Sequence, residues 1–176
     1  MDNAASSYRR FLNGDETAFD DIMRELFDPL VFFIDRFVCD TAAAEDIAID
    51  AFSDLIVHPH RYNFKVTLKT YLYMIGRSRA LNYIKRRGRF SMEELSAETE
   101  AQPSPEEIFL ADERRRAVSA AVAALPEDMR AAVHLVLLEE LSYAEAAKVM
   151  KKNEKQIDNL LYRAKKELRT ILEEEV

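Results

Sequence analysis

Between Arg61 and Phe90 the chain carries nine Lys and Arg residues, six aromatic residues and no Asp or Glu, although the whole protein has a formal net charge of -7. The cations are Arg61, Lys65, Lys69, Arg77, Arg79, Lys85, Arg86, Arg87 and Arg89; Tyr62, Phe64, Tyr71, Tyr73, Tyr83 and Phe90 lie among them. Cations neutralise phosphates and aromatic faces stack on unpaired bases, so together they suit a single-stranded or locally opened nucleic acid. The competing reading is a solvated basic face whose tyrosines belong to a core. A run of this length without one acid, in an acidic chain, favours a polyanion.

Charge elsewhere is segregated too. Met1 to His60 holds thirteen acids against four bases, Ser91 to Glu113 eight acids and no bases, and Lys148 to Leu172 eight bases against three acids. Two positive segments separated by an acidic one imply two polyanion contacts on one chain. Asp46, Asp50 and Asp54 recur at i, i+4 and i+8, a spacing that lines them along one helix face, where like charges repel by a few tenths of a kcal/mol per pair. Such a stripe is either a solvated face or a surface for a basic partner. No metal or cofactor is expected, because no Glu-x-x-His pair supports those carboxylates and His58 and His60 merely flank a proline. No nucleophile-base pair or phosphate loop is visible, so an enzyme is not expected, and His134 reads as core.

The elements that must position these residues are helical. Only three Gly and five Pro occur, which disfavours a turn-rich β architecture. Tyr8 to Leu12 reads as a short lead-in closed by Asn13-Gly14, with Asp15 as a cap for the next helix. Phe19, Ile22, Met23, Leu26 and Phe27, then Leu30, Phe33, Ile34, Phe37 and Val38, keep a helical spacing interrupted by Pro29, giving two helices or one kinked helix. Asp40 is expected to cap a third helix that buries Ile47, Ala51, Phe52, Leu55 and Ile56 and stops at His58-Pro59. Leu68 to Arg87 forms a fourth, ended by Gly88.

Residues 91–103, acidic and without aromatics, read as a flexible linker and the domain boundary between 1–90 and 104–176. Ser104-Pro105-Glu106-Glu107 is a capping-box start, Pro126 restarts the chain after Leu125, and Ser142 with Glu145 forms a second capping box. A short helix to Met150, a three-residue turn and a last helix from about Glu154 make a helix-turn-helix arrangement. The expected fold is all-α, with two small helical domains. Cys39 is alone, so no internal disulfide forms. With no apolar run approaching the roughly 18 residues of a membrane span and no signal-peptide pattern, a cytoplasmic location is expected.

These motifs together resemble a bacterial RNA polymerase sigma factor of the extracytoplasmic-function (ECF) group, over nearly the whole chain. Gly14-Asp15-Glu16-x-Ala18-Phe19 is similar to the opening motif of that group. Ala44-Glu45-Asp46-Ile47 through Phe52 is similar to its polymerase-binding helix, and Tyr71-Leu72-Tyr73-x-Ile75-x-Arg77 through Arg87 to its promoter-melting helix. Leu125-Pro126-Glu127, Leu141-Ser142-Tyr143-x-Glu145-x-Ala147 and Tyr162-Arg163-Ala164-Lys165-Lys166 resemble its helix-turn-helix domain.

The resemblance implies that Asp46, Asp50, Phe52 and Asp54 dock on core RNA polymerase. It implies contacts to a single-stranded minus-ten element from Arg61, Tyr62, Phe64, Lys65, Lys69, Tyr71, Arg77, Ser78, Asn82, Lys85, Arg86 and Arg87. Lys152, Asn153, Lys155, Gln156, Asn159, Arg163 and Lys166 would meet duplex DNA at the minus-thirty-five element. An anti-sigma partner is expected by analogy.

The sequence departs from the family pattern at Tyr71 (usually tryptophan), Met74 (usually Arg), Ser78 (usually Asn) and Lys151 (usually glycine). Asp158 and Leu160 stand where cations are usual. Two other classes remain: a sigma mimic that binds an anti-sigma protein without initiating transcription, and an ordinary helix-turn-helix repressor.

Overall fold

Helix α1 (Asn3–Leu12) buries Ala4, Ala5 and Tyr8 on one face. The Tyr8 hydroxyl, pushed up to about 12 by burial and by nearby Tyr71, donates to the Leu55 carbonyl at 2.7 Å and ties the lead-in to the third helix. The structure, a computed structural model, describes residues 3–90 and 109–174. After α1 the chain reverses at Gly14, whose φ of 98° lies in the left-handed region that glycine adopts freely. Arg10 clamps the turn by donating to Asp15 (3.0 and 2.5 Å). Asp15 sits at the start of the next helix as expected, but it accepts the Thr17 hydroxyl at 2.7 Å; the cap position proper is Glu16, which makes no side-chain capping bond.

Helix α2 (Thr17–Val38) is one element that runs through Pro29. The proline removes one amide from the ladder, but Ile22, Leu26, Leu30 and Phe33 on its buried face hold the segment together. Cys39 ends it in the left-handed region (φ 50°), its amide donating to the Asp35 carbonyl at 2.8 Å. Asp40 then caps α3 (Thr41–Val57) as the sequence predicts, accepting from the Ala43 amide at 3.1 Å. A 3₁₀ turn (Pro59–Arg61) and a loop lead to α4 (Leu68–Phe90), whose first turn is capped by Thr67 Oγ1 accepting from the Thr70 amide at 3.1 Å. Gly88 does not end α4. The helix continues to Phe90, and beyond its own helix backbone a Gly88 side chain would begin in open space among the described residues.

The second half comprises α5 (Phe109–Ala124), α6 (Glu127–Val133), a π-helical turn (His134–Leu138), α7 (Tyr143–Met150) and α8 (Glu154–Glu174). No strand occurs among the described residues, so the all-α expectation holds. The acidic linker and the Ser104 capping box lie outside the described residues. The halves are not independent lobes: α4 packs on α7, and one buried cluster runs from Phe33, Leu72 and Tyr73 into Leu135, Ala146 and Met150. A smaller cluster of Leu125, Met129, Val133 and Ala164 joins α6 to α8.

Gly76 sets how closely α4 approaches α2. A β-carbon there would sit 3.0 Å from Leu30 Cδ1 and 3.1 Å from Ile34 Cδ1. Gly76→Leu should therefore overpack the crossing and cost about 1–3 kcal/mol, read as a lower urea midpoint. An unchanged midpoint would show that the crossing tolerates the added bulk.

Candidate nucleic-acid interface

The loop before α4 is built around stacked rings. Tyr62 is only 3% exposed, lies 5.7 Å from Tyr8, 4.6 Å from Phe64 and 5.0 Å from Tyr71, and donates its hydroxyl to the Val66 carbonyl at 2.8 Å. It is therefore a core ring and offers no open face. Phe64 is half-buried, in the left-handed region (φ 60°), with the Arg9 guanidinium 4.6 Å from its ring centroid. A cavity of about 540 Å³ opens beside it, lined by Arg9, Tyr62, Phe64, Lys65, Glu145 and Lys148. Lys65 is exposed, whereas Tyr71 is half-buried.

Along α4 the cations face different neighbours, with Arg79 turned to α3. At the N-terminal end they face the second half of the chain: Lys69 Nζ lies 2.9 Å from Glu139 Oε2, and buried Arg77 lies 3.7 Å from Asp128. The sequence leads one to expect Arg77 to project towards phosphate; at 9% exposure it does not, because α6 and the Phe37 ring cover it. At the C-terminal end Lys85, Arg86 and Arg87 are exposed, with Arg87 3.6 Å from Asp40. Asn82 is exposed beside them and Ser78 is half-buried.

On α3, Asp46 and Asp50 are exposed and Asp54 is half-buried. Asp50 and Asp54 accept from Arg79, and Asp54 also lies 3.4 Å from Arg61, so cations from outside α3 relieve most of the stripe's self-repulsion. A groove of about 590 Å³ runs alongside, lined by Asp46, Asp50, Arg79, Asn82 and Arg86 among others. Phe52 does not face it. At 2% exposure it packs against Phe19 and Phe27 and supports the helix from behind.

In the helix-turn-helix, Ser142 and Glu145 form the predicted capping box. Lys151 takes the left-handed conformation (φ 54°, ψ 44°) that glycine would adopt without strain, and its amide donates back to Ala147 and Lys148. Asn153 and Gln156 form a second reciprocal cap that sequence reasoning missed: Asn153 Oδ1 accepts from the Gln156 amide at 2.8 Å and Gln156 Oε1 from the Asn153 amide at 2.9 Å. The Asn-x-x-Gln spacing was the available signal. Both side chains are thus partly committed to starting α8, while Lys155, Asn159, Arg163 and Lys166 are exposed along it. Lys152 is drawn aside to Asp128 at 2.9 Å.

A polar knot lies where the halves meet. Lys69 donates to the Glu139 carbonyl at 2.8 Å as well as pairing with its carboxylate. His134 Nε2 is 3.2 Å from Glu139 Oε1, close enough for attraction but off the line of a directed hydrogen bond. Neither His134 nitrogen nor the Tyr73 hydroxyl completes a hydrogen bond among the described residues, so we assign most of the pairing to Lys69. Burial alone would push the Glu139 carboxyl up, but the approach of His134, Lys69 and Tyr73 and the lysine charge together hold it at about 2. Burial first, and then the Arg36 and Lys69 charges, hold His134 below the usual imidazole value against the pull of Glu139. Burial and the adjacent Glu139 push the Tyr73 hydroxyl up.

An acid-free helix flanked by an aromatic loop, joined to a helix-turn-helix whose second helix exposes Lys155, Arg163, Lys165 and Lys166, defines a two-part nucleic-acid-facing protein. Residues 22–90 match Sigma-70 region 2, and residues 115–168 match Sigma-70, region 4. RNA polymerase sigma-H factor of Pseudomonas aeruginosa is 31% identical over 152 residues, covering 80% of this chain and 79% of that protein. The ECF RNA polymerase sigma-E factor of Escherichia coli K12 is 27% identical with the same coverage. Among solved structures, the sigma factor RpoE of Bartonella quintana, in complex with the anti-sigma factor NepR, superposes with a TM-score of 0.68 at 21% identity, over 88% of this chain and 96% of that one. The chain belongs to the sigma-70 family, in its ECF group, a family of promoter-directing transcription initiation factors. No helix among the described residues is long and apolar enough to cross a membrane.

Two measurements check this geometry. Lys151→Gly should stabilise the protein by roughly 0.5–1 kcal/mol, the left-handed strain relieved less the entropy glycine adds to the unfolded chain; a lower melting temperature would contradict the strain. Glu139 has a folded value of about 2 against an ordinary 4.5, so its stabilisation is complete above pH 4.5 and is lost as pH falls towards 2. The melting-temperature gap between wild type and Glu139→Gln should accordingly close across that window. A gap constant with pH would mean that the carboxylate charge contributes nothing.

Proposed function

We propose that this chain is an alternative promoter-specificity factor that docks on core RNA polymerase through the exposed face of α3. In this reading α4 and its preceding loop capture and help to open the minus-ten element, while α8 enters the major groove at the minus-thirty-five element. The observation that carries it is the exposed Lys85-Arg86-Arg87 end of an acid-free helix in region 2, together with the exposed row Lys155, Asn159, Arg163 and Lys166 in region 4.

Phosphate contacts from the α4 cations would fix register, and a base leaving the stack would cost a few kcal/mol that Phe64, Tyr71 and the adjacent cavity could offset. Asn159 and the free amide hydrogens of Gln156 would reach base edges, while Lys155, Arg163 and Lys166 meet phosphates. Asp46 and Asp50 suit a basic polymerase surface. The relationship to a sigma factor solved with an anti-sigma factor supports a protein inhibitor of that kind here. The chain supplies recognition; bond formation belongs to the polymerase.

The decisive test is transcription of total genomic DNA by purified core polymerase with and without this protein, mapping each new 5′ end. New starts sharing two upstream elements at fixed spacing support the proposal. A folded protein that yields none sinks it and leaves the sigma mimic standing. On a promoter so mapped, Arg86→Ala/Arg87→Ala holoenzyme should bind more weakly. Its log-affinity against log-salt slope should fall by about 0.7–0.9 per lost phosphate contact. An unchanged slope would remove both residues from the contact.

A further inference from the structure

Asp158 is a carboxylate that the fold leaves unused. It is exposed on α8, and it makes no hydrogen bond or ion pair among the described residues, although Lys155 stands one turn before it. Successive helical residues turn by about 100°. With Ile157 and Ala164 fully buried, the outward side of α8 carries Lys155, Asp158, Asn159, Tyr162 and Lys166. Tyr162, 72% exposed, stands near the middle of that side. Glu154 has a local reason to be acidic, because a carboxylate in the first turn meets the positive end of the helix. Asp158 lies a turn further in, beyond that effect. On a face that meets phosphates, a carboxylate without a partner weakens binding unless a base supplies the partner.

The neighbouring groups on α8 mostly donate. Gln156 Oε1 is taken by the Asn153 amide at 2.9 Å, which leaves that side chain two N–H donors. Lys155, Arg163 and Lys166 have no acceptor at all. Asn159 offers both functions, whereas Asp158 only accepts. In the major groove guanine presents two acceptors, thymine an acceptor and a methyl group, and adenine an acceptor beside its amino group. Each of these acceptors repels a carboxylate. Cytosine presents an amino donor and no acceptor of its own.

We propose that Asp158 determines specificity at the minus-thirty-five element by accepting a hydrogen bond from the N4 amino group of one cytosine. The inference rests on the reading of α8 as the major-groove helix. The carboxylate lowers affinity for duplex DNA in general and returns part of it only where that cytosine stands. Asp158 thereby acts as a filter, while the surrounding cations supply the attraction.

The test uses the full chain reconstituted with core polymerase and a pool of duplexes randomised across the upstream element. Bound sequences are compared for wild type, Asp158→Ala, Asp158→Asn and Glu154→Gln, the last removing one charge a turn earlier on the same flank. Wild type should prefer cytosine at one position by roughly tenfold, the usual cost of a single mismatch. Asp158→Ala should flatten that position alone and leave the order of preference elsewhere intact. Asp158→Asn, with a donor beside its acceptor, should move the preference there to adenine. Glu154→Gln should keep the cytosine.

An Asp158→Ala pool with the wild-type preferences would overturn the proposal, even if it bound all sequences more tightly, since the carboxylate would then only repel phosphate. So would loss of preference at a base other than cytosine, or the same loss in Glu154→Gln. Melting temperatures confirm that each variant is folded, and Asp158→Asn keeps the side-chain shape if Asp158→Ala is not. A separate pair, Lys155→Ala and Lys166→Ala, tests the underlying reading. If neither changes the salt slope and wild type shows no upstream preference, α8 is not the major-groove helix; a changed slope with no cytosine position rejects the Asp158 assignment alone.

Discussion

A helix without acids cannot neutralise itself. Because residues 61–90 contain no Asp or Glu, every ion pair of α4 and its preceding loop must come from elsewhere in the fold. Arg79 and Arg61 reach α3 through Asp50 and Asp54, Arg87 reaches Asp40 ahead of α3, Lys69 reaches Glu139, and Arg77 reaches Asp128. Local i,i+4 pairs, which help an exposed helix by a few tenths of a kcal/mol, are absent by composition. The same segregation that suits the helix to a polyanion therefore makes it the hub of the tertiary structure.

That constraint explains how residues divide between support and contact. Apolar packing of α4 on α2, at Gly76 and through Tyr73 against Phe33, holds the helix in place. Tyr8, Tyr62 and Phe52 hold the loop and α3 from inside. The residues left exposed lie at the ends: Arg61, Asn63 and Lys65 before the helix, and Asn82 with Lys85 to Gly88 towards its far end. Precise sites are built on rigid elements, and here the rigidity comes from rings that the sequence pattern alone would have assigned to ligand.

Features governed by short-range rules were legible in the sequence. The Asp40 cap and the Ser142/Glu145 box arise from spacing and appear as expected. The strained Lys151 turn could be anticipated from the glycine usual in the family. Features governed by competition were not legible. Gly88 reads as a terminator, but the helix runs on to Phe90. Pro29 leaves two helices or one kinked helix open, and a long buried face carries α2 past it as one element. Tyr62 and Phe52 match motif positions, yet a motif does not record which side of a ring is covered. Least legible was the docking of the two halves: Glu145 to Thr70 and Glu139 to Lys69 join residues about seventy positions apart, and no periodicity carries that information.

That docking surface is rich in polar groups. An apolar seam of the same extent would be more stable, since burying a charged pair gains little over well-packed hydrocarbon. Here the seam instead encloses Lys69 and Glu139, a neutral His134 and a Tyr73 hydroxyl with no hydrogen bond completed among the described residues. Unmet polar groups of this kind each cost on the order of 1–3 kcal/mol, which offsets part of what the buried leucines and alanines contribute.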